Sequence, residues 1–158
     1  MTKIADVLGR INTFLAERAE HGKYATVFYA TLDSSGKLSF SNAGHCAPLL
    51  VRSGGAIESL HTTSMPVGMI PGAPFSEDER ILSAGDRIVL YTDGVTEAQN
   101  AASDFFGKKR LREAVTQSAG LDCTGMHDAI QQALKDFTGG AEQSDDITLV
   151  VAEYSGGN

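Results

Sequence analysis

The chain has no tryptophan, only two cysteines and four prolines, and no uninterrupted apolar run approaches the ~20 residues that cross a bilayer. Cys46 and Cys123 stand far apart and form no CxxC pair, which argues against a disulfide framework and a thiolate zinc site. Basic residues are scarce: thirteen Lys and Arg face twenty Asp and Glu, for a formal charge of −7. That balance argues against a nucleic-acid partner, which needs a basic footprint. The N-terminus lacks the charged-then-apolar pattern of a secretory signal, so the cytoplasm is the expected location. Internal repeats, low-complexity tracts and linkers are also missing. What remains is ordinary for a globular protein: 158 residues, 42% hydrophobic and 21% charged, enough for one domain with a real core.

Periodicity supplies the elements. Ile4, Val7, Leu8, Ile11, Phe14 and Leu15 recur at helical spacing and predict an amphipathic helix over 3–18, ending near Glu20-His21-Gly22. A strand over 24–32, a turn at 33–37 and a return over 38–41 predict a hairpin. Strands over 49–52 and 56–60 predict a second hairpin about Gly54-Gly55, and 65–72 reads as an irregular loop. A strand over 79–82 is expected to pair, through a turn at 83–86, with the strand that opens at Arg87. Helices follow over 108–118, with Leu111, Ala114 and Val115 inward, and from Thr124 as cap, with Met126, Ile130, Ala133, Leu134 and Phe137 on one stripe. Gly139-Gly140 stops the second. The basic side of the first reads as a solvated face. His21, His61 and His127 suggest no site, and His45, in the small-residue loop 42–48, reads as structure rather than ligand.

The chemistry lies at two strand ends. Ile88-Val89-Leu90-Tyr91 predicts a strand buried on both faces that runs into Asp93-Gly94, where glycine permits a sharp turn and a close approach. Alone, Asp93 reads as a turn cap. Ser144-Asp145-Asp146 then precedes a second apolar strand over 147–152 and repeats the pattern. If those ends meet, like charges repel unless a cation sits between them. Carboxylates without His or Cys companions favour Mg²⁺ or Mn²⁺ over zinc.

Taken together, the phrases Val27-Phe28-Tyr29-Ala30-Thr31-Leu32-Asp33, Asn42-Ala43-Gly44-His45, Pro66-Val67-Gly68, Leu90-Tyr91-Thr92-Asp93-Gly94-Val95-Thr96-Glu97-Ala98, Phe105-Phe106-Gly107 and Gln143-Ser144-Asp145-Asp146-Ile147-Thr148-Leu149 resemble, in order, the metal-dependent protein phosphatases (PPM, type 2C). The branch they are most similar to is that of the SpoIIE/RsbU-like bacterial serine phosphatases. The resemblance implies an α+β fold, an α-β-β-α sandwich of two antiparallel sheets flanked by helices. It implies Asp93 and Asp145 as ligands of two Mn²⁺ or Mg²⁺ ions, Asp146 and Gly94 as their immediate support, and Glu97 at the position where some relatives hold a third, weaker metal. The reaction it implies is phosphomonoester hydrolysis by metal-activated water, on phosphoserine of a regulatory protein of the STAS, anti-sigma-factor-antagonist class.

One departure qualifies these expectations. The family's Gly-Gly-Asp phrase, whose aspartate bridges both metals, does not occur here. Residues 1–154 therefore read as the C-terminal portion of such a domain and 155–158 as a flexible tail, with an upstream sensor domain or a dimer left to the full-length protein. Sheets short of strands would leave edges open. This chain alone is expected to bind metal weakly and turn over little. The alternative is a non-catalytic module of the same fold that binds a phosphorylated or STAS-type partner.

Overall fold

The computed structural model describes residues 3–18, 22–143 and 145–157. The expected helix exit at Glu20-His21, Ser144 of the second acidic phrase and Asn158 of the tail lie outside the described residues. In chain order the elements are α1 (Ile4–Arg18), β1 (Val27–Leu32), β2 (Lys37–Ala43), β3 (Leu49–Val51), β4 (Ile57–Ser59), β5 (Asp78–Ile81), β6 (Arg87–Tyr91), α2 (Asp93–Thr96), α3 (Gly107–Gln117), α4 (Cys123–Thr138) and β7 (Leu149–Glu153). The class is α+β, with two antiparallel sheets and helices. Among the described residues, no helix is long and apolar enough to cross a membrane.

The chain divides into two compact units. The first comprises Met1–Ala47, Leu60–Leu82 and Gly156–Asn158. Its sheet runs β1-β2-β5, and β1 pairs with β2 in the register Leu32↔Leu38 to Val27↔Ala43. Ile4 and Leu8 of α1 bury against Ala43 and Val67, with Leu15, Val27 and Phe75 packed around them. The helix is where the sequence predicts it, and Ile4 and Leu8 of its predicted stripe are buried, but Ile11 and Phe14 are not. Ile11 and Phe14 are 36% and 53% exposed, and Asn12 is buried in their place. The reason is polar: the Asn12 amide donates to the Ile70 carbonyl, and its oxygen accepts the Gly68 N–H. A side chain that satisfies the irregular 65–72 loop from within outranks two apolar ones that do not. Three of the six β1 residues are exposed, as befits an edge strand.

The second unit comprises Pro48–Ser59 and Ser83–Ser155. Its sheet runs β4-β3-β6-β7, so β6 is flanked on both sides by hydrogen-bonded strands. Here two sequence expectations are corrected. The strand at β5 does not form a hairpin with β6; β5 pairs with β2, and β6 pairs with β3 and β7. The strands at β6 and β7 are also less buried than their apolar runs imply. In β6 only Val89 and Tyr91 are fully inside, while Ile88 and Leu90 are half-buried. β7 begins at Leu149 rather than 147 and lies at the sheet edge, with Val150 exposed. A continuous apolar run cannot by itself distinguish a central strand from an edge strand.

Helices α3 and α4 bury Leu111, Ala114, Val115 and Met126, Ile130, Leu134. Phe106 meets Phe137 edge-on at 5.5 Å, and Arg110 lies over the Phe137 ring. The cap of α4 is Asp122 rather than Thr124: its Oδ1 accepts the Gly125 N–H at 2.7 Å. The helix stops at Gly139, in the left-handed region at φ 59°.

At the start of β6 sits a buried carboxylate. Asp86 is 1% exposed. Its oxygens accept the Ser53 N–H at 2.8 Å, the Ser83 N–H at 2.9 Å and Arg52 Nη1 at 2.9 Å. Its backbone carbonyl accepts the Tyr154 N–H just beyond β7. One side chain thus ties the β3–β4 turn, the 83–86 turn and the sheet together. Burial by itself would push the Asp86 carboxyl up, but the two N–H donors and Arg52 outweigh it and hold the group below the ordinary carboxylate range.

Candidate functional site

The opposite end of β6 carries the acids singled out in the sequence. The β6–β7 ladder ends at Tyr91↔Leu149. Thr92 extends it by one further bond, donating its N–H to the Thr148 carbonyl at 3.1 Å. Its hydroxyl then replaces the next rung: Oγ1 donates to the Asp146 carbonyl at 3.0 Å and accepts the Thr148 N–H at 3.0 Å. The segment 145–148, irregular in its own backbone, is thereby laid against the start of α2.

Gly94 completes the junction. A Cβ built there would lie 2.9 Å from the Asp146 carbonyl carbon and closer still to its oxygen. Only a residue without a side chain fits. Gly94 is buried, whereas Asp93, Glu97, Asp145 and Asp146 are all exposed. The structure thus brings Asp93 and the Asp145-Asp146 pair to one end of neighbouring strands. Glu97, four residues after Asp93, lies on the same helical side, its N–H bonded to the Asp93 carbonyl at 2.7 Å.

The exposure corrects one premise. Asp93 is not a buried charge in need of a partner; the buried aspartate bracketing β6 is Asp86, and it has three donors. Asp93 does show some turn-cap character, with Oδ1 accepting the Gly94 N–H at 3.1 Å. Asp145 Oδ1 accepts the Asp146 N–H at 2.7 Å, and the Asp145 carbonyl accepts Gln143 Nε2 at 2.6 Å. Among the described residues, no three His, Cys, Asp or Glu side chains converge closely enough to hold a metal ion by themselves.

The remaining polar candidates are structural. The Asn42 amide donates to the Leu60 carbonyl and its oxygen accepts the His45 N–H, which fixes the loop that carries His45. His45 Nδ1 lies 3.4 Å from the Thr26 hydroxyl, so this histidine reads as part of a hydrogen-bonded turn. Neither cysteine is in a disulfide, and burial, aided by the Glu153 charge, pushes the Cys123 thiol up, away from nucleophilic use.

Sequence reasoning missed Thr92 and Gln143. Their signal was available only as membership in the two acidic phrases; their roles come from bonds across 54 and 2 positions. Thr92→Val keeps the shape and removes both hydroxyl bonds. We expect a loss of about 1–2 kcal/mol in urea unfolding, with Thr92→Ser close to wild type. A Val variant as stable as wild type would show the hydroxyl clamp to be dispensable.

The family model described as stage II sporulation protein E (SpoIIE) matches residues 2–155, nearly the whole chain. The chain belongs to the SpoIIE family. Over 141 residues it is 36% identical to protein IcfG of Synechocystis, covering 88% of this chain and 22% of that protein. It is 24% identical to the phosphoserine phosphatase RsbU of Bacillus subtilis over 153 residues, covering 93% of this chain and 44% of RsbU. This SpoIIE-family chain therefore spans less than half the length of these curated relatives. Among solved structures, the phosphatase domain of SpoIIE from Bacillus subtilis, presoaked with Mn, superposes with a TM-score of 0.67 at 18% identity, over 98% of this chain and 68% of that one. At that identity the likeness speaks for the fold.

Proposed function

We propose that this chain is the acid-bearing part of a metal-dependent protein serine/threonine phosphatase that hydrolyses phosphoserine on a regulatory protein of the STAS, anti-sigma-factor-antagonist class. One observation carries the reading. Thr92 and Gly94 lock two acidic strand ends together and leave Asp93, Glu97, Asp145 and Asp146 exposed at the junction. Family membership and the phosphatase names of the relatives support it. The donor set fits the metal. It is all carboxylate oxygen on the surface, the chemistry of Mg²⁺ or Mn²⁺, ions that keep several waters and need few protein ligands. In this reading Asp93 and Asp145 hold two ions, Glu97 a third and weaker one, and Asp146 orients the site through the carbonyl fixed by Thr92. When bound there, the ions would supply an activated water and charge neutralisation at the phosphoryl group. The chain's own residues set the spacing of the carboxylates and keep them open to a bulky substrate. The reading places the protein in the cytoplasm, where cysteines outside any disulfide stay reduced.

The test is Mn²⁺ calorimetry on this chain with Asp93→Asn and Asp145→Asn. Each substitution is expected to weaken binding at least about tenfold, or roughly 1.4 kcal/mol. Phosphate release from a phosphoserine protein by the full-length protein should fall in parallel. Unchanged Mn²⁺ affinity in both variants overturns the assignment. A second reading, a non-catalytic module of the same fold, is motivated by the missing Gly-Gly-Asp phrase. It predicts partner binding that survives both substitutions and is indifferent to chelator.

A further inference from the structure

Beside the acidic junction lies a cleft of about 640 Å³, within the range of ligand-binding pockets. It is walled by α4 and by the segment that leads into β7, and Gly94 and Ile147, the chain neighbours of Asp93 and Asp146, line it too. Its composition is unusual for this chain. The whole sequence contains five glutamines, and four of them, Gln99, Gln131, Gln132 and Gln143, line this one cleft. The fifth, Gln117, is on α3.

A primary amide donates and accepts at once, and so matches the alternating N–H and C=O groups of a polypeptide main chain. Gln132 and Gln143 are already oriented, through Nε2 bonds to Asp136 and to the Asp145 carbonyl, and each retains an acceptor oxygen. Gln143 thereby links the cleft wall to the acidic junction. The charged lining is two acids, Asp128 and Glu142, against one base, Lys135. That balance suits a segment with basic flanks and is a poor home for a free phosphate.

We propose that this cleft binds the polypeptide flanking the target phosphoserine, with the glutamine amides reading its main chain in a largely sequence-tolerant way. The proposal rests on the phosphatase reading of the neighbouring acids. It adds that the substrate is a protein segment held in extended form, rather than any small phosphomonoester.

The experiment labels the glutamine side chains with ¹⁵N and follows their amide signals as acetyl-Lys-Ala-Ala-phosphoserine-Ala-Ala-Lys-amide is added, with and without Mg²⁺. The unphosphorylated peptide is titrated alongside. The signals of Gln99, Gln131, Gln132 and Gln143 are expected to shift saturably while Gln117 stays still. A Gln99→Ala/Gln131→Ala double variant should weaken the peptide at least about fivefold, the worth of roughly one hydrogen bond, and leave Mn²⁺ affinity unchanged. The proposal is overturned if the four signals do not move at millimolar peptide, if Gln117 moves as much as they do, or if the double variant binds like wild type. Should Mg²⁺ fail to favour the phosphorylated peptide while the four signals still move, the metal reading of Asp93 and Asp145 fails and the cleft proposal stands.

Discussion

Asp86→Ala is expected to destabilise the chain by about 3 kcal/mol, although Asp86 lies at the far end of β6 from any chemistry. The Ser53 and Ser83 N–H groups lose their acceptor, and a buried unpaired donor costs about 1–3 kcal/mol. Arg52 contributes less to the loss, because its side chain is 30% exposed and Glu58 lies 3.6 Å away. Equilibrium unfolding in urea measures the sum. The same group gives a pH signature. Its folded-state value is lowered, so its stabilisation is present above the unfolded value of about 3.9 and is lost as pH falls through the folded value. Exposed Asp33 and Asp78 are lowered too, Asp33 chiefly by the Ser35 hydroxyl and Asp78 by the Glu79 N–H, so they add to the loss in acid. Asp86→Asn isolates the buried share: between pH 5 and pH 3 its stability should fall less steeply than wild type. Parallel slopes would mean that the three donors do not hold Asp86 ionised.

The two aspartates that bracket β6 show what the sequence could and could not convey. Asp93 stood out because it follows an apolar run and precedes glycine. Asp86 precedes the same run inside Ser83-Ala84-Gly85-Asp86 and reads as a turn residue. Burial separates them in the opposite sense to that pattern, since Asp86 is inside and Asp93 is exposed. Of its three donors, one lies in the same turn, but the other two, Ser53 and Arg52, are 33 and 34 positions away, and no local pattern contains them. Helices α3 and α4 were legible in place and in inward face, because 3.6-residue periodicity is a local property. Strand pairing was not. β5 and β6 look like hairpin partners across a four-residue turn, yet they join different sheets, because each finds a longer-range partner in β2 or β3. The site was half legible: the ordered phrases brought out the acids, while the Thr92 clamp and the glutamine-lined cleft depend on contacts between segments distant in sequence, 54 and 56 positions apart for the clamp.

Gly94→Ala sets two opposite effects against each other, and their magnitudes decide the sign. Gly94 lies within α2 and has no positive φ, so helix propensity alone would favour alanine by about 1 kcal/mol. Against that stands the Asp146 carbonyl. The new Cβ would sit 2.9 Å from its carbon and nearer to its oxygen, and both are backbone atoms with no rotamer through which to escape. Overpacking against a fixed wall costs about 1–3 kcal/mol and occasionally more, so the clash wins. The expected outcome is a net loss of about 2 kcal/mol in urea unfolding. The least costly relaxation moves the 145–148 segment outward, which stretches both Thr92 hydroxyl bonds and carries Asp145 away from Asp93. Mn²⁺ affinity should therefore fall about tenfold or more, although no carboxylate has been altered. Thr92→Val combined with Gly94→Ala should cost less than the sum of the single variants, since both act on one junction. An alanine variant that is more stable than wild type would show that 145–148 yields freely, and the argument that Gly94 sets the spacing of the two acids would then be lost.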